Sequence, residues 1–129
     1  MNIHVDGSGL GIGLWVEGDK YFFETEGVTT NTNEAHALVL GLKYAVYHKK
    51  SAVLHSDSKT AIAVAMKGYS SVDHLTKYGI IAKRLRERAL TLGLTIEIIW
   101  IPGKANQADA PSRMKGEYLE GWAQDFINI

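Results

Sequence analysis

Four acidic residues define the chemistry open to this chain: Asp6 in IHVDGSG, Glu34 in TNTNEAHAL, Asp57 in LHSDSKTAI and Asp109 in PGKANQADAPSR. Hard cations such as Mg²⁺ are held by carboxylate oxygens, and a site for two of them needs several carboxylates converging on one point. The chain has no cysteine, which excludes disulfides, thiolate zinc sites and cysteine nucleophiles. Its histidines, His4, His36, His48, His55 and His74, show no paired spacing with a glutamate between them, so they read as structural or exposed.

The acids must be positioned by the elements around them. Short β-branched and aromatic runs, Ile3 to Val5, Gly11 to Val16 and Lys20 to Thr25, are separated by glycine turns and predict a three-stranded antiparallel meander. From Asn31 the period changes, and Leu38, Leu42 and Ala45 recur at helical spacing through about Lys49. A strand over Ser51 to His55, a helix over Ser58 to Met66 and a break at Gly68 to Ser71 follow. A long helix over Val72 to Leu92 carries Leu75, Ile80, Ile81, Leu85 and Leu90, and an apolar strand, Leu94 to Ile101, stops at Pro102-Gly103. A final amphipathic helix over Gly116 to Phe126 has Leu119, Trp122 and Phe126 as its apolar face. The order predicts an α/β layer structure.

On that map Asp6 ends the first strand and Asp57 the fourth, the carboxyl ends where open α/β sheets bind ligands. Glu34 shares a helix face with Leu38, Gly41 and Ala45, the face that must pack on the sheet, and is pulled toward Asp6. Asp109 follows the last strand by a short polar loop and opens the next helical segment. Each acid alone also has a structural reading. Asp6-Gly7 is a turn dipeptide, Asn31 with Glu34 has capping-box spacing, Asp57 or Ser58 suits an N-cap, and Asp109 suits a helix start. The coincidence of all four in order favours a shared metal site.

The chain's 129 residues fit one domain over residues 1–129, and 14 basic against 14 acidic residues leave no net charge. Any binding of a polyanion is therefore local. No basic leader and no long apolar run precede the first strand, so a cytoplasmic protein without a membrane partner is expected. No obligate protein partner is evident.

The blocks VDGSG, TNTNEAHALVLGLKYA, HSDSKTAI and PGKANQADAPSR resemble, in order, the active-site blocks of type 1 ribonucleases H. The last is most similar to reverse-transcriptase-associated ribonuclease H domains. The resemblance implies a five-stranded mixed sheet, three antiparallel strands and then two parallel, with helices on both faces. It also implies endonucleolytic cleavage of the RNA strand of an RNA/DNA hybrid with two Mg²⁺ ions, or Mn²⁺. Asp6 and Asp57 would flank both metals, while Glu34 would hold one and approach the ribose and Asp109 would complete the other's shell. Substrate contacts implied are Gly7, Ser8, Thr29, Asn31 and Ser58. Two departures stand out: the loop before Asp109 holds Lys104, Ala105 and Asn106 where many members carry a histidine, and no basic, tryptophan-bearing protrusion follows Gly68. Weak hybrid affinity is the expected consequence, with Lys83, Arg84, Arg86 and Arg88 reading as a solvated helix face.

Overall fold

The computed structural model describes residues 1–25 and 28–113. Its strands are β1 (Asn2–Gly7), β2 (Gly11–Val16), β3 (Asp19–Glu24), β4 (Ala52–Ser56) and β5 (Ile96–Trp100), and its helices α1 (Thr30–Tyr47), α2 (Lys59–Lys67) and α3 (Asp73–Thr91). Every expected strand is present, each within a residue or two of its predicted ends. The three helices expected before the last strand are present too, and the one expected over Gly116 to Phe126 lies outside the described residues.

The strands form one mixed sheet in the order β3-β2-β1-β4-β5. The meander is antiparallel, with Val5 opposite Leu14 and Ile12 opposite Phe23. β4 pairs in parallel with β1 and with β5. Side chains alternate between faces along each strand, so Ile3, Val5, Leu14 and Leu54 point to one side and all are essentially inaccessible. All three helices cover that side in a single core. At about 1.5–3 kcal/mol for each fully buried large aliphatic side chain, this core is the main source of stability.

α1 is buried on nearly its whole circumference from Ala35 to Leu42, because it lies between the sheet on one side and α2 and α3 on the other. A helix covered on both sides must be apolar all round. Gly41 marks the closest approach to the sheet, since a Cβ there would stand 2.8 Å from Val5 and 2.9 Å from Leu54.

α3 keeps part of the expected apolar face. Leu75 is buried and Ile81 and Leu85 pack partly buried against the core, but Ile80 and Leu90 are exposed, and the fully buried positions are Leu75, Tyr78, Gly79, Ala82 and Ala89. Small residues prevail because the helices pack close. A Cβ on Gly79 would come within 2.8 Å of the Gly68–Tyr69 backbone. On the opposite side of the sheet, a 3₁₀ turn at Pro111–Arg113 lies against Gly13, where a Cβ would meet the Ser112 nitrogen. Among the described residues no helix is long and apolar enough to cross a membrane.

Candidate active site

β1 and β4 pair in register only through His4 and His55. Extending the same offset sets Asp6 level with Asp57, just where the two strands part. The acids therefore face each other across the mouth of a crevice between parallel strands. The Asp6 carboxyl is buried and accepts a hydrogen bond from the Gly7 amide at 3.0 Å, with the Ser112 hydroxyl 3.4 Å from its other oxygen. It also shares a hydrogen bond with the Asp57 carboxyl.

Two glycines let the other acids approach. A Cβ on Gly7 would fall 2.3 Å from the Glu34 nitrogen and 2.4 Å from the Asn33 carbonyl carbon, so only glycine admits α1 at this depth. A Cβ on Gly103 would fall 2.9 Å from an Asp57 oxygen. Asn33, fully buried, locks the first contact by donating to the Ser8 carbonyl at 2.7 Å and pairing with the Thr25 hydroxyl at 3.1 Å.

The helix starts settle which acids are free. Thr29 caps α1 by accepting from the Thr32 amide at 3.3 Å. With Thr29 as the cap, Glu34 lies two residues too deep for a capping box, and its half-buried carboxyl hydrogen-bonds Ser58 instead. Ser58 caps α2 by accepting from the Ala61 amide at 3.0 Å, which leaves Asp57 uncommitted as a cap. Asp109 lies exposed between 3₁₀ turns at Gly103–Ala105 and Pro111–Arg113, with Arg113 3.5 Å away. It does not open an α-helix among the described residues. Burial, first, and then the charges of Asp57 and Asp109 push the Asp6 carboxyl up to about 7. Burial and the Asp57 charge raise Glu34 as well, with the Ser58 hydrogen bond opposing them. The four acids are therefore linked in the sequence Asp109, Asp6, Asp57, Glu34.

Of the implied substrate contacts, Asn31 and Thr29 are exposed at the start of α1. Ser8 is buried, its hydroxyl donating to the Ser112 carbonyl at 2.6 Å and accepting from the Leu10 amide at 3.1 Å, so it braces the turn over the site. The Gly7 amide is likewise taken up by Asp6.

Asn106 is a positioning residue that sequence reading passed over as a replacement for a histidine. It is buried, donates to the Val5 carbonyl at 2.9 Å and accepts from the Ala108 amide at 2.9 Å. These bonds hold the loop bearing Asp109 against the end of β1, and the Gln107 amide adds a bond to His4 Nδ1 at 3.1 Å. Its only signal in the sequence was a polar residue three before an acid in a Pro-Gly loop.

Among the described residues, no group of three or more His, Asp or Glu side chains is spaced to hold a metal ion. The pair Asp6–Asp57 nevertheless fits a hard cation in donor type: all its donors are oxygen, and burial, and then the neighbouring carboxylate charges, raise Asp6, a cost that a cation would offset.

The fold is that of the ribonuclease H domains. The N-terminal RNase H domain of a Mycobacterium tuberculosis protein, solved as a fusion with maltose binding protein, superposes with a TM-score of 0.57 at 19% identity, covering 84% of this chain and 92% of that one. RNase H1 from the halophilic archaeon Halobacterium salinarum gives 0.54 at 22% identity, over 85% and 93% of the two chains. An RNase H1 isolated from compost by a metagenomic approach gives 0.64 at 18% identity, over 85% and 90%. No protein-family model matches the chain, and no curated protein sequence does.

Proposed function

We propose that this chain is a type 1 ribonuclease H, an endonuclease that hydrolyses the RNA strand of RNA/DNA hybrids and leaves 5′-phosphate and 3′-hydroxyl ends. The observation that carries this reading is that Asp6 and Asp57 meet where β1 and β4 part, with Asp109 acting on Asp6 and Asp57 on Glu34; burial, and then the charges of Asp57 and Asp109, push Asp6 up to about 7. Crowded carboxylates destabilise a fold, so their persistence here argues for a use that needs the charge.

In this reading two Mg²⁺ ions, or Mn²⁺, are held by Asp6 and Asp57, with Glu34 and Asp109 completing the set. When bound, such ions make a water nucleophilic at neutral pH and neutralise charge on the departing 3′ oxygen. The chain's own residues do the remaining work. Asp6, held up to about 7 by burial and then by the charges of Asp57 and Asp109, would have to give up its proton for a cation to be held there, which couples activity to pH near 7. Gly7 and Asn33 hold Glu34 at the mouth of the crevice, where Glu34 and exposed Asn31 can meet a ribose 2′-hydroxyl, the group that distinguishes RNA from DNA. Exposed Thr29 is a candidate contact for a DNA-strand phosphate, and Ser58 keeps Glu34 oriented.

Incubation with labelled RNA/DNA hybrid, duplex RNA, duplex DNA and a four-way junction, with and without Mg²⁺, tests the reading. Metal-dependent cutting of the RNA strand in the hybrid supports it. Cutting of the junction would point to a resolvase on this fold, and binding without cutting to a hybrid-binding module.

A further inference from the structure

β5 ends the sheet on one side, and among the described residues nothing pairs with its outer edge. The Ala52 amide donates to the Thr95 carbonyl at 3.0 Å and the Ile101 amide to the Ser56 carbonyl at 2.9 Å. Thr95 and Ile101 therefore turn their backbone groups toward β4, and the alternation of the ladder aims the N–H and C=O groups of Ile96, Ile98 and Trp100 outward. Such a row is a template for another strand. The opposite edge is guarded: β3 carries Asp19, Lys20 and Glu24, and the 3₁₀ turn at Pro111–Arg113 packs against it. β5 carries neither proline nor lysine, its single charge is Glu97, and its register with β4 runs unbroken from Ala52–Ile96 to Ser56–Trp100.

The side chains at this edge supply a projection and a recess. Trp100 is half exposed and its ring is fixed, with the Lys59 ammonium 5.0 Å from the ring centre and the indole donating to the Asp57 carbonyl at 3.1 Å. At the other end of the strand, Arg86, Ala89, exposed Leu90, Leu94 and Ile96 enclose a recess of about 90 Å³. Ile96, Ile98 and Trp100 alternate onto the helix-covered face of the sheet, and Glu97 and exposed Ile99 onto the other.

We infer that this edge joins two copies of the chain into a dimer whose sheets continue as one, antiparallel about a two-fold axis at Ile98. A second copy is the occupant because projection and recess lie on one strand and on one face, so the axis sets each Trp100 opposite the other copy's Ile96, at the mouth of its recess. The same register pairs every outward N–H and C=O, about six hydrogen bonds in all. It also places Glu97 of each copy opposite Ile99 of the other. Zero net charge leaves no long-range repulsion to hold the copies apart, and the fixed Trp100 ring has little rotamer freedom left to lose. A contact built on one strand pair lies at the small end of specific interfaces, so the dimer should dissociate in the micromolar range. Because the strands run antiparallel, the two carboxylate sites fall at opposite ends of the joined sheet, and the inference holds whatever those sites cleave.

The test is sedimentation equilibrium of the full chain from ~1 µM to ~1 mM, at pH 8, where His55, the neighbour of Ile99 on β4, is neutral. Wild type should pass from monomer to dimer over this range. Ile99→Lys puts a cation opposite the other copy's Glu97 and should tighten the dimer about 2- to 30-fold, counting two such cross-strand pairs, whereas Ile99→Glu sets like charges opposite each other and should weaken it by a similar factor. Ile99 is exposed, so circular dichroism should report the wild-type fold for both. The chain has no cysteine, so Glu97→Cys/Ile99→Cys should oxidise to a covalent dimer faster than either single variant does. A wild type that stays monomeric throughout, as expected of an edge reserved for a strand of another protein, overturns the inference. So does a dimer that both charges shift in the same direction, or one that the paired cysteines cross-link no faster than single ones.

Discussion

Asp57→Asn tests whether the acids form one electrostatic unit. Asp6 is held up to about 7 by burial first, and by the charge and hydrogen bond of Asp57 next. A carboxyl held there rather than at 3.8 costs the folded state roughly 4 kcal/mol at pH above 7. Solvent around half-exposed Asp57 and exposed Asp109 screens part of that, and burial persists in the variant. Removing the Asp57 charge should therefore return about 1–2 kcal/mol, or roughly 4–7 °C in Tm for a chain of this size.

The sign in pH is fixed by the direction of the shift. Below 3.8 Asp6 is protonated both folded and unfolded, and it contributes no difference. Between 3.8 and about 7 the unfolded chain ionises while the folded one resists, so wild-type stability falls as pH rises, and above about 7 the loss is complete. Asn for Asp should accordingly raise Tm at pH 8 in EDTA and have little effect near pH 4. Adding Mg²⁺ should narrow the gap, because binding at tenfold above Kd stabilises wild type by about 1.4 kcal/mol and the variant less. Cleavage should be lost. Calorimetry from pH 4 to pH 8, with and without Mg²⁺, measures all of this. Identical melting of variant and wild type throughout, with hybrid still cut, would refute the reasoning.

Glu34→Gln should abolish cleavage in the hybrid assay while changing stability by less than about 1 kcal/mol, since the Ser58 hydrogen bond has an acceptor in either side chain. Gly7→Ala should destabilise by about 3 kcal/mol in denaturant titration and also eliminate activity, because its methyl group meets the Glu34 and Asn33 backbone. Asn106→Ala leaves the Val5 carbonyl and the Ala108 amide without their partner. It should cost about 2–4 kcal/mol and raise the Mg²⁺ concentration needed for half-maximal cleavage, which a purely structural role would leave unmoved. Ser58→Ala should lose about 1 kcal/mol as a cap.

The sequence by itself determined the elements and their order. Alternation in β1 to β3 and helical spacing after Asn31 are local properties, and they placed every described strand and helix to within a residue or two. It also determined which acids were eligible, since Asp6 and Asp57 end strands that must run parallel. Only the tertiary structure decided which of them are free. The capping-box spacing of Asn31 and Glu34 was genuine, but Thr29 took the cap; Asp57 and Ser58 were equal candidates until Ser58 took the second. Caps depend on where backbone geometry starts a helix, and one residue either way changes the role of every neighbour. The face of α3 was misjudged in part for a related reason. Periodicity records hydrophobicity but not how close a neighbour comes, so Gly79 and Ala82 outrank Ile80 and Leu90 once helices touch. Asn33 and Asn106 were invisible because their partners, Ser8 and Val5, lie 25 and 101 residues away. A single chain carries no sign of a hydrogen bond made across that distance, and it is those two bonds that hold Glu34 and Asp109 at the mouth of the crevice.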